Sequence, residues 1–399
     1  MSLKVYIIGT LDTKDAELRY AKRMMERAGA DAILVDVSTT AHTSKADVSA
    51  KTVAAFHPKG DSAVLGFSDR GAAVAGMAEA LSGYLLSRKD VGGVLGLGGS
   101  GNTAIVTAGM RALPVGVPKL MVSTVASGNT AAYMGPSDIA MMYSVVDIAG
   151  LNAISRKVIA NAAHAVAGMA LNPVRRVKSG KPSVGITMFG VTTSCVTQIR
   201  EKIEAEHDCF VFHATGTGGQ SLEKLAESGL LDSVIDITTT EVADRLFGGV
   251  LPCTDDRFGA MIRTGVPYIG SVGAVDMINF GGWNAVPAKY QGRKFYVHNP
   301  QVTLMRTTPS ENHTIGAWIV ERLNRMGGPV RFLLPLKGVS AIDVSGQPFH
   351  DPEADAALFS AIREGWVAAR NRKLIEIDAH INDAVFASEV VKQFNAITA

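Results

Sequence analysis

Residues 91–105 read VGGVLGLGGSGNTAI, and their reading decides the fold. Residues 91–97 form a short, nearly unbroken apolar run, the pattern of a strand buried on both faces. A helical pattern resumes from about Thr103. The glycines between them mark a tight strand-to-helix turn. Whether that turn only reverses the chain or also holds a ligand is the functional question it raises.

Outward from this stretch the same unit recurs. Strands are predicted at residues 4–8, 32–37, 91–97 and 120–124. Helices are predicted after the first strand, with Leu18, Ala21, Met25 and Ala28 on one face, and again at 72–86 and from 103. A long helix is expected to bury Ile154, Val158, Ala162, Ala165 and Met169. Asp12 or Thr13 is expected to cap the first helix, and Gly29 to end it. The second half restarts the rhythm, with strands at 184–189, 209–213, 234–237, 267–272, 294–297 and 330–334. Its helices are expected at 194–206, 315–325, 354–369 and along the C-terminal tail. Strands alternating with helices specify an α/β fold with parallel sheets covered on both sides. We therefore expect two Rossmann-like doubly wound parallel-sheet domains with a cleft between them. Residues 1–172 form the first domain, the Pro- and Gly-containing stretch 173–182 a linker, and 183–399 the second domain.

The 399 residues are too many for one ordinary core, which agrees with two domains. No apolar run approaches the roughly 20 residues of a membrane span, and no leader peptide is evident, so a soluble cytoplasmic protein is expected. A net charge of only +2, without a basic stripe, argues against nucleic acid as the main partner. Cys195, Cys209 and Cys253 form no CxxC pair, which speaks against a cysteine zinc site. Cys195 reads as a small buried residue early in a helix, a nucleophile being the alternative.

The candidate binding residues fall in loops after strands, where ligands of such sheets sit. Gly96, Gly98 and Gly101 satisfy G-x-G-x-x-G between a strand and a helix. Glycines let the backbone approach an anion closely, and the free amides and dipole of the helix start attract phosphate. Gly98, Gly99, Ser100, Gly101, Asn102 and Thr103 thus form a candidate phosphate cradle, against the plain alternative of a tight turn. The dinucleotide fingerprint is incomplete, because the following strand carries no acid before Asp138, and there is no GxxxxGK[ST]. In GTLDTK, residues 9–14, Gly9, Thr10, Asp12, Thr13 and Lys14 close the first strand. Lys14 can neutralise phosphate and Asp12 can hold Mg2+, or both can be charges on a capped helix start. Asp36, with Ser38, ends the second strand where a ribose-binding acid would stand, or caps a loop. Ser127, Gly128 and Asn129 repeat the SGNT of residues 100–103 and suggest a second wall of the same pocket, or an ordinary polar loop.

In the second half, HATGTGGQ at 213–220 offers a further anion or substrate loop, with His213 a possible acid or base but more readily a structural residue. Pro309 and Glu311 read as a helix start, with Arg306 pairing an anion as the sharper alternative. Asp351, Pro352 and Glu353 read as a capped helix start rather than a metal cluster. Asp378, His380, Asn382 and Asp383 alternate, so three can point one way from a strand as ligands would, but they read more readily as a polar exposed edge before the last helix.

Taken together, GTLDTK (9–14), GLGGSGNT (96–103), HATGTGGQ (213–220), GPVRFLLPLKGVSAID (328–343), FHDPEADAALF (349–359) and HIND (380–383) give the chain a family resemblance. It resembles, nearly end to end, the bacterial and plant family of the ATP-binding N-terminal domain of the tomato mosaic virus resistance protein. The resemblance implies two Rossmann-like subdomains, ATP bound in the first, and a homodimer. It also implies that a barrel domain resembling phosphoenolpyruvate-utilising enzymes, which follows in the plant protein, would have to come from a separate partner chain. Carried onto this sequence, the nucleotide loops are Gly9 to Lys14, Gly98 to Thr103 and the turn around Ser127 to Asn129. The expected function is an enzyme or enzyme subunit using ATP and Mg2+ on a small molecule. The alternatives are a non-catalytic ATP-binding module that controls dimerisation, and an enzyme acting on a phosphorylated metabolite or sugar nucleotide.

Overall fold

The computed structural model describes residues 3–40, 42–43, 45–65, 69–174 and 180–398. The chain divides into two compact units, Met1–Val177 and Lys178–Ala399. Residues 175–179, half of the expected linker, lie outside the described residues.

Among the described residues the first unit has five parallel strands: β1 (Lys4–Gly9), β2 (Ala32–Asp36), β3 (Val91–Gly98), β4 (Lys119–Ser123) and β5 (Ala140–Tyr143). Their spatial order is β2-β1-β3-β4-β5. The helices are α1 (Leu11–Arg27), α2 (Ala50–Ala54), α3 (Arg70–Ser87), α4 (Ser100–Ala112), α5 (Ala131–Met134) and α6 (Ala153–Leu171). Alternation along β1 sorts the two faces. Val5 and Ile7 pack with Leu18 and Met25 of α1 and with Ile159 and Val166 of α6. Tyr6 and Ile8 pack with Met77 and Leu81 of α3 and with Ile105 and Val106 of α4. The buried stripe of α6 is Ser155, Ile159, Ala162, Ala163 and Val166. Ile154, Ala165 and Met169, expected inside, are exposed, because in a helix this rich in alanine several faces are apolar enough to read as the inner one.

The second unit repeats the plan. Its six parallel strands are β6 (Ser183–Met188), β7 (Asp208–His213), β8 (Ser233–Thr238), β9 (Tyr268–Gly273), β13 (Val330–Pro335) and β14 (Arg372–Ile377). They lie in the order β14-β13-β9-β8-β6-β7. Counted along each unit's own parallel strands, both sheets run 2-1-3-4-5, and the second adds a sixth strand. The helices are α7 (Thr193–Ile203), α8 (Thr217–Glu227), α9 (Thr240–Phe247), α10 (Gly259–Thr264), α11 (Pro309–Leu323), α12 (Pro352–Gly365) and α13 (Ala384–Thr398). Helices α7 and α13 cover one face, while residues of α8 to α12 pack on the other.

The structure departs from the sequence reading at several elements, among them strands β5, β10 (Met277–Phe280) and β12 (Val302–Arg306), for which the sequence reading has no counterpart. The strand expected at 294–297 is β11 (Phe295–Asn299), and it belongs to a separate antiparallel sheet with β10 and β12. Strand β14 was not anticipated: it is an edge strand, and its polar residues break the apolar run expected of a buried strand. Helix α12 stops at Gly365, short of the expected 369. Among the described residues, no helix is long and apolar enough to cross a membrane.

Candidate functional site

In a 2-1-3-4-5 sheet the strand order reverses between the first and third strands, and ligands sit at the carboxyl ends there. In the first unit those ends are Gly9 of β1 and Gly98 of β3. Gly99 is the N-cap of α4 and offers no side chain to the helix start. Thr103 is the first residue of α4 whose N–H reaches a carbonyl of its own helix start, Gly99 O at 2.9 Å. The N–H groups of Ser100, Gly101 and Asn102 therefore leave the helix start without an intrahelical partner.

The surroundings hold this turn rigidly. Thr103 Oγ1 donates to Gly99 O at 2.8 Å and meets Ser123 Oγ at 2.7 Å. Thr124 N–H donates to Gly98 O at 3.3 Å, tying the loops after β3 and β4 together. Asn102 is 7 % exposed; its Nδ2 donates to Leu97 O, and its Oδ1 is buried with no donor. A Cβ on Gly98 would lie 2.7 Å from Asn102, and one on Gly9 would lie 2.8 Å from Leu18 and 3.3 Å from Asn102 Nδ2. Those two glycines thus make room for Asn102 in the crevice. Gly99 faces space, its virtual Cβ meeting only Thr124 Oγ1 at 3.7 Å. A charged group that the sequence did not single out stands nearby: Arg70, the first residue of α3, brings Nη2 to 4.0 Å of the Cβ position on Gly101. Nothing in the local sequence connects Arg70 with residues 98–103; the packing of α3 on α4 does.

The start of α1 is built differently. Its N-cap is Thr10, without a side-chain cap, so the expected capping by Asp12 or Thr13 does not occur. Leu11 N–H donates to Asp36 Oδ1 and Asp12 N–H to Ser38 Oγ, both at 3.2 Å. The end of β2 therefore fills this helix start from within. Asp36 also accepts from Ser38 N–H at 3.0 Å and from Ser38 Oγ at 2.6 Å, and its Oδ2 is 3.0 Å from His42 Nε2. At 1 % exposure it braces the loop rather than standing open as a ribose acceptor. The Asp12 carboxylate takes the hydroxyl of Thr40, and the hydroxyls of Thr10 and Thr13 meet at 3.0 Å. Lys14 is half-buried just beyond. A cavity of about 330 Å³ opens here, lined by Asp36, Thr39, Thr40, His42 and Lys51 among others.

The two SGNT stretches have different roles. Ser127 and Gly128 form an exposed turn, with Gly128 N–H on Val125 O at 3.0 Å. Asn129 Oδ1 accepts from Ala131 N–H at 3.0 Å and so serves the start of α5.

In the second unit the glycines of HATGTGGQ answer to a protein carboxylate. Glu241 Oε1 accepts from Gly216 N–H at 2.8 Å and Gly219 N–H at 3.1 Å. The loop read as a further anion site is thus occupied from inside. Glu241 belongs to a buried network in which Arg257 meets Glu223 at 3.1 Å, Asp236 at 2.8 Å and Glu241 at 3.1 Å. Tyr268 Oη and Thr187 Oγ1 also donate to Asp236. His213 is exposed, with its ring edge-on to Phe189 at 5.3 Å.

The capped helix starts read from sequence are present. Thr308 and Glu311 form a capping box with Pro309 in the first turn, and Asp351 Oδ1 accepts from Ala354 N–H at 3.1 Å. Cys195 is fully buried, and burial pushes its thiol far up, which removes the nucleophile alternative. His380, expected on an exposed edge, is 7 % exposed and lies in the turn after β14. Arg306, for which pairing an anion is the alternative reading, is buried against Asp343 and Asp355. Among the described residues no group of His, Cys, Asp and Glu has the arrangement of a metal site.

Comparison with known proteins matches the two units to two family models. Residues 3–174 match the N-terminal domain, and residues 181–398 the C-terminal domain, of the uncharacterised protein family UPF0261. The chain is 55% identical over 394 residues to a UPF0261 protein of Rhizobium meliloti, covering 99% of both. It is 56% identical over 387 residues to a UPF0261 protein of Mesorhizobium japonicum, covering 97% of both. It is 42% identical over 425 residues to the ToMV resistance protein Tm-1(GCR237) of Solanum lycopersicum, covering 100% of this chain but only 56% of the tomato protein.

Proposed function

The chain belongs to the uncharacterised protein family UPF0261, and from its own residues we propose that it binds ATP with Mg2+ at the start of α4. The observation that carries this reading is a contrast among three helix starts. Those of α1 and α8 are filled by Asp36, Ser38 and Glu241. That of α4 has a glycine N-cap, no side-chain cap and open space in front of Gly99. It also lies at the strand-order reversal, where phosphates of nucleotides bind to helix amides in such sheets.

Three further features support an anion here. Arg70 adds a positive charge beside Gly101. Ser123 and Thr103 fix the loop, so little ordering is needed on binding. The buried Asn102 Oδ1 lacks a donor, which a hydroxyl or a metal-bound water of the ligand would supply. In this reading the amides of Ser100, Gly101 and Asn102 hold phosphate oxygens, and Mg2+ arrives with the nucleotide. The protein then serves as an enzyme or enzyme subunit acting on a small molecule, as a homodimer. A barrel-type protein is proposed as a partner, as the family resemblance implies.

The test is calorimetric titration of wild type and Gly99→Asp with ATP and Mg2+. The Asp carboxylate fits the open space and meets a phosphate head-on. Binding by wild type and none by a folded variant supports the reading. Equal binding by both overturns it.

A further inference from the structure

Three of the sequence motifs that the nucleotide site leaves unused meet in one place. They are residues 336–345 after β13, residues 349–359 leading into α12, and residues 378–383 after β14. Together they enclose a cavity of about 410 Å³ in the second unit, within the roughly 300–1,000 Å³ of small-molecule pockets. The cavity sits at the carboxyl ends of two parallel strands, the side of such a sheet that takes ligands. Leu336, Val344, Pro352 and Phe359 give it an apolar wall.

The polar groups around it are short of free positive charge. Lys337 is already on Asp378, at 2.9 Å. Arg306, behind the wall, donates to Asp343 Oδ1 at 3.0 Å and to Asp355 Oδ1 at 2.8 Å. It also lies against Asp276, whose main-chain O it holds at 3.4 Å. Its charge is thus divided among buried acids and is not offered to the cavity. The imidazole of His380 is spent as well: Nδ1 accepts from Asn382 N–H at 3.1 Å, so the ring proton is on Nε2, which donates to Ser340 O at 2.8 Å.

What the lining offers a ligand is lone pairs. Asp383 is exposed, its Oδ2 accepts from His380 N–H at 2.9 Å, and among the described residues no cation is paired with it. His350 donates its Nδ1–H to Asp343 O at 3.4 Å, which leaves a lone pair on Nε2. A carboxylate without a cation, a ring nitrogen that can only accept and an apolar wall call for a ligand that brings donors, a positive charge and a hydrocarbon part. An ammonium group supplies three donors and the charge together. We propose that this cavity binds a primary amine carried on an apolar body. The ammonium donates to Asp383, the apolar part lies on Leu336, Val344 and Phe359, and His350 Nε2 accepts a further N–H or hydroxyl of the ligand.

The test is calorimetric titration of the full chain, in phosphate rather than amine buffer, with three probes of one shape. They are 2-phenylethylamine as the cation, 2-phenylethanol as the neutral form and 3-phenylpropanoate as the anion. The amine is expected to bind, with the alcohol at least about tenfold weaker because it lacks the charge, and the anion weaker still. Asp383→Asn keeps an oxygen for His380 N–H and removes only the charge, so the variant folds. It is expected to weaken the amine about tenfold. Lys337→Ala is expected to bind the amine at least as tightly as wild type, because it removes a like charge. The proposal is overturned if the amine does not bind, if the anion binds as tightly as the amine, if Asp383→Asn leaves the affinity unchanged, or if Lys337→Ala loses it.

Discussion

Gly219 and Glu241 are fitted to each other from opposite sides of a helix start. The Gly219 N–H donates to Glu241 Oε1 at 3.1 Å, and a Cβ on Gly219 would lie 2.1 Å from Oε2. The same carboxylate holds Gly216 N–H and Arg257 Nε, so it cannot swing aside without breaking both. Gly219→Ala is therefore expected to cost at least about 2 kcal/mol through displacement of a buried charge. All three tryptophans, Trp283, Trp318 and Trp366, belong to the second unit, so urea unfolding followed by tryptophan fluorescence reads this loss directly. An unchanged midpoint would refute the fit. ATP binding at α4 should survive the substitution under native conditions.

Stability of the second unit should depend on pH through Glu223. Burial pushes its carboxyl up to about 7, although Arg257 at 3.1 Å pulls the other way. The folded chain thus holds this proton more tightly than the unfolded chain, where the ordinary value of 4.5 applies. The group's contribution is complete below that value and is lost as pH rises toward about 7. Glu223→Gln keeps an oxygen for Arg257 and Phe258 N–H and removes the titration. The variant is expected to match or trail wild type at acid pH and to exceed it by about 1–3 kcal/mol at mildly alkaline pH. Urea midpoints at both ends of this range check it. Parallel pH profiles for the two proteins would show that Glu223 is ionised throughout. Asp244, also raised to about 7 by burial, remains in both, so the flattening is partial.

The nucleotide reading predicts that Arg70 contributes to affinity. Its guanidinium lies beside Gly101 and can reach a phosphate held by the α4 amides. Arg70→Ala is expected to raise the dissociation constant for ATP and Mg2+ about tenfold, and Arg70→Lys to recover part of it as a point charge. Titration calorimetry of the three proteins decides. Identical affinities would place the phosphates away from α3.

How far the sequence carried these conclusions depends on distance along the chain. Strands buried on both faces announce themselves as contiguous apolar runs, which is why β1, β3, β4 and β6 were legible. The glycine turn at 98–101 was legible for the same reason, since strand, turn and helix are adjacent. β14, RKLIEI, was not, because an edge strand keeps its polar residues. What fills each helix start was also hidden. Asp36 reaches the start of α1 from 25 residues away, and Glu241 reaches Gly219 from 22. Local sequence therefore presents the loops at 9–14, 98–103 and 213–220 as equivalent, and only the fold separates the open one from the two filled ones. The same holds for Arg306, Asp343 and Asp355. Each sits in a stretch explained locally by a cap or turn, and their meeting is a consequence of how β12, β13 and α12 pack.

Gly99→Asp makes the sharpest prediction, because it acts in opposite directions on fold and function. Gly99 has φ −83° and ψ −168°, a conformation open to any residue and usual for an N-cap. Its virtual Cβ meets nothing closer than 3.7 Å. An aspartate there can accept from the amides of Gly101 and Asn102 and complements the helix dipole. It also removes a flexible glycine from the unfolded chain. The variant's α4 is expected to gain about 0.5–1 kcal/mol, read as slower hydrogen exchange of the amides at 101–106. The same carboxylate occupies the amides that a phosphate needs, so ATP binding should disappear. A loss of binding caused by misfolding would speed exchange in α4 rather than slow it. Slower exchange together with lost binding therefore identifies those amides as the phosphate site, and slower exchange with ATP still bound removes the site from α4.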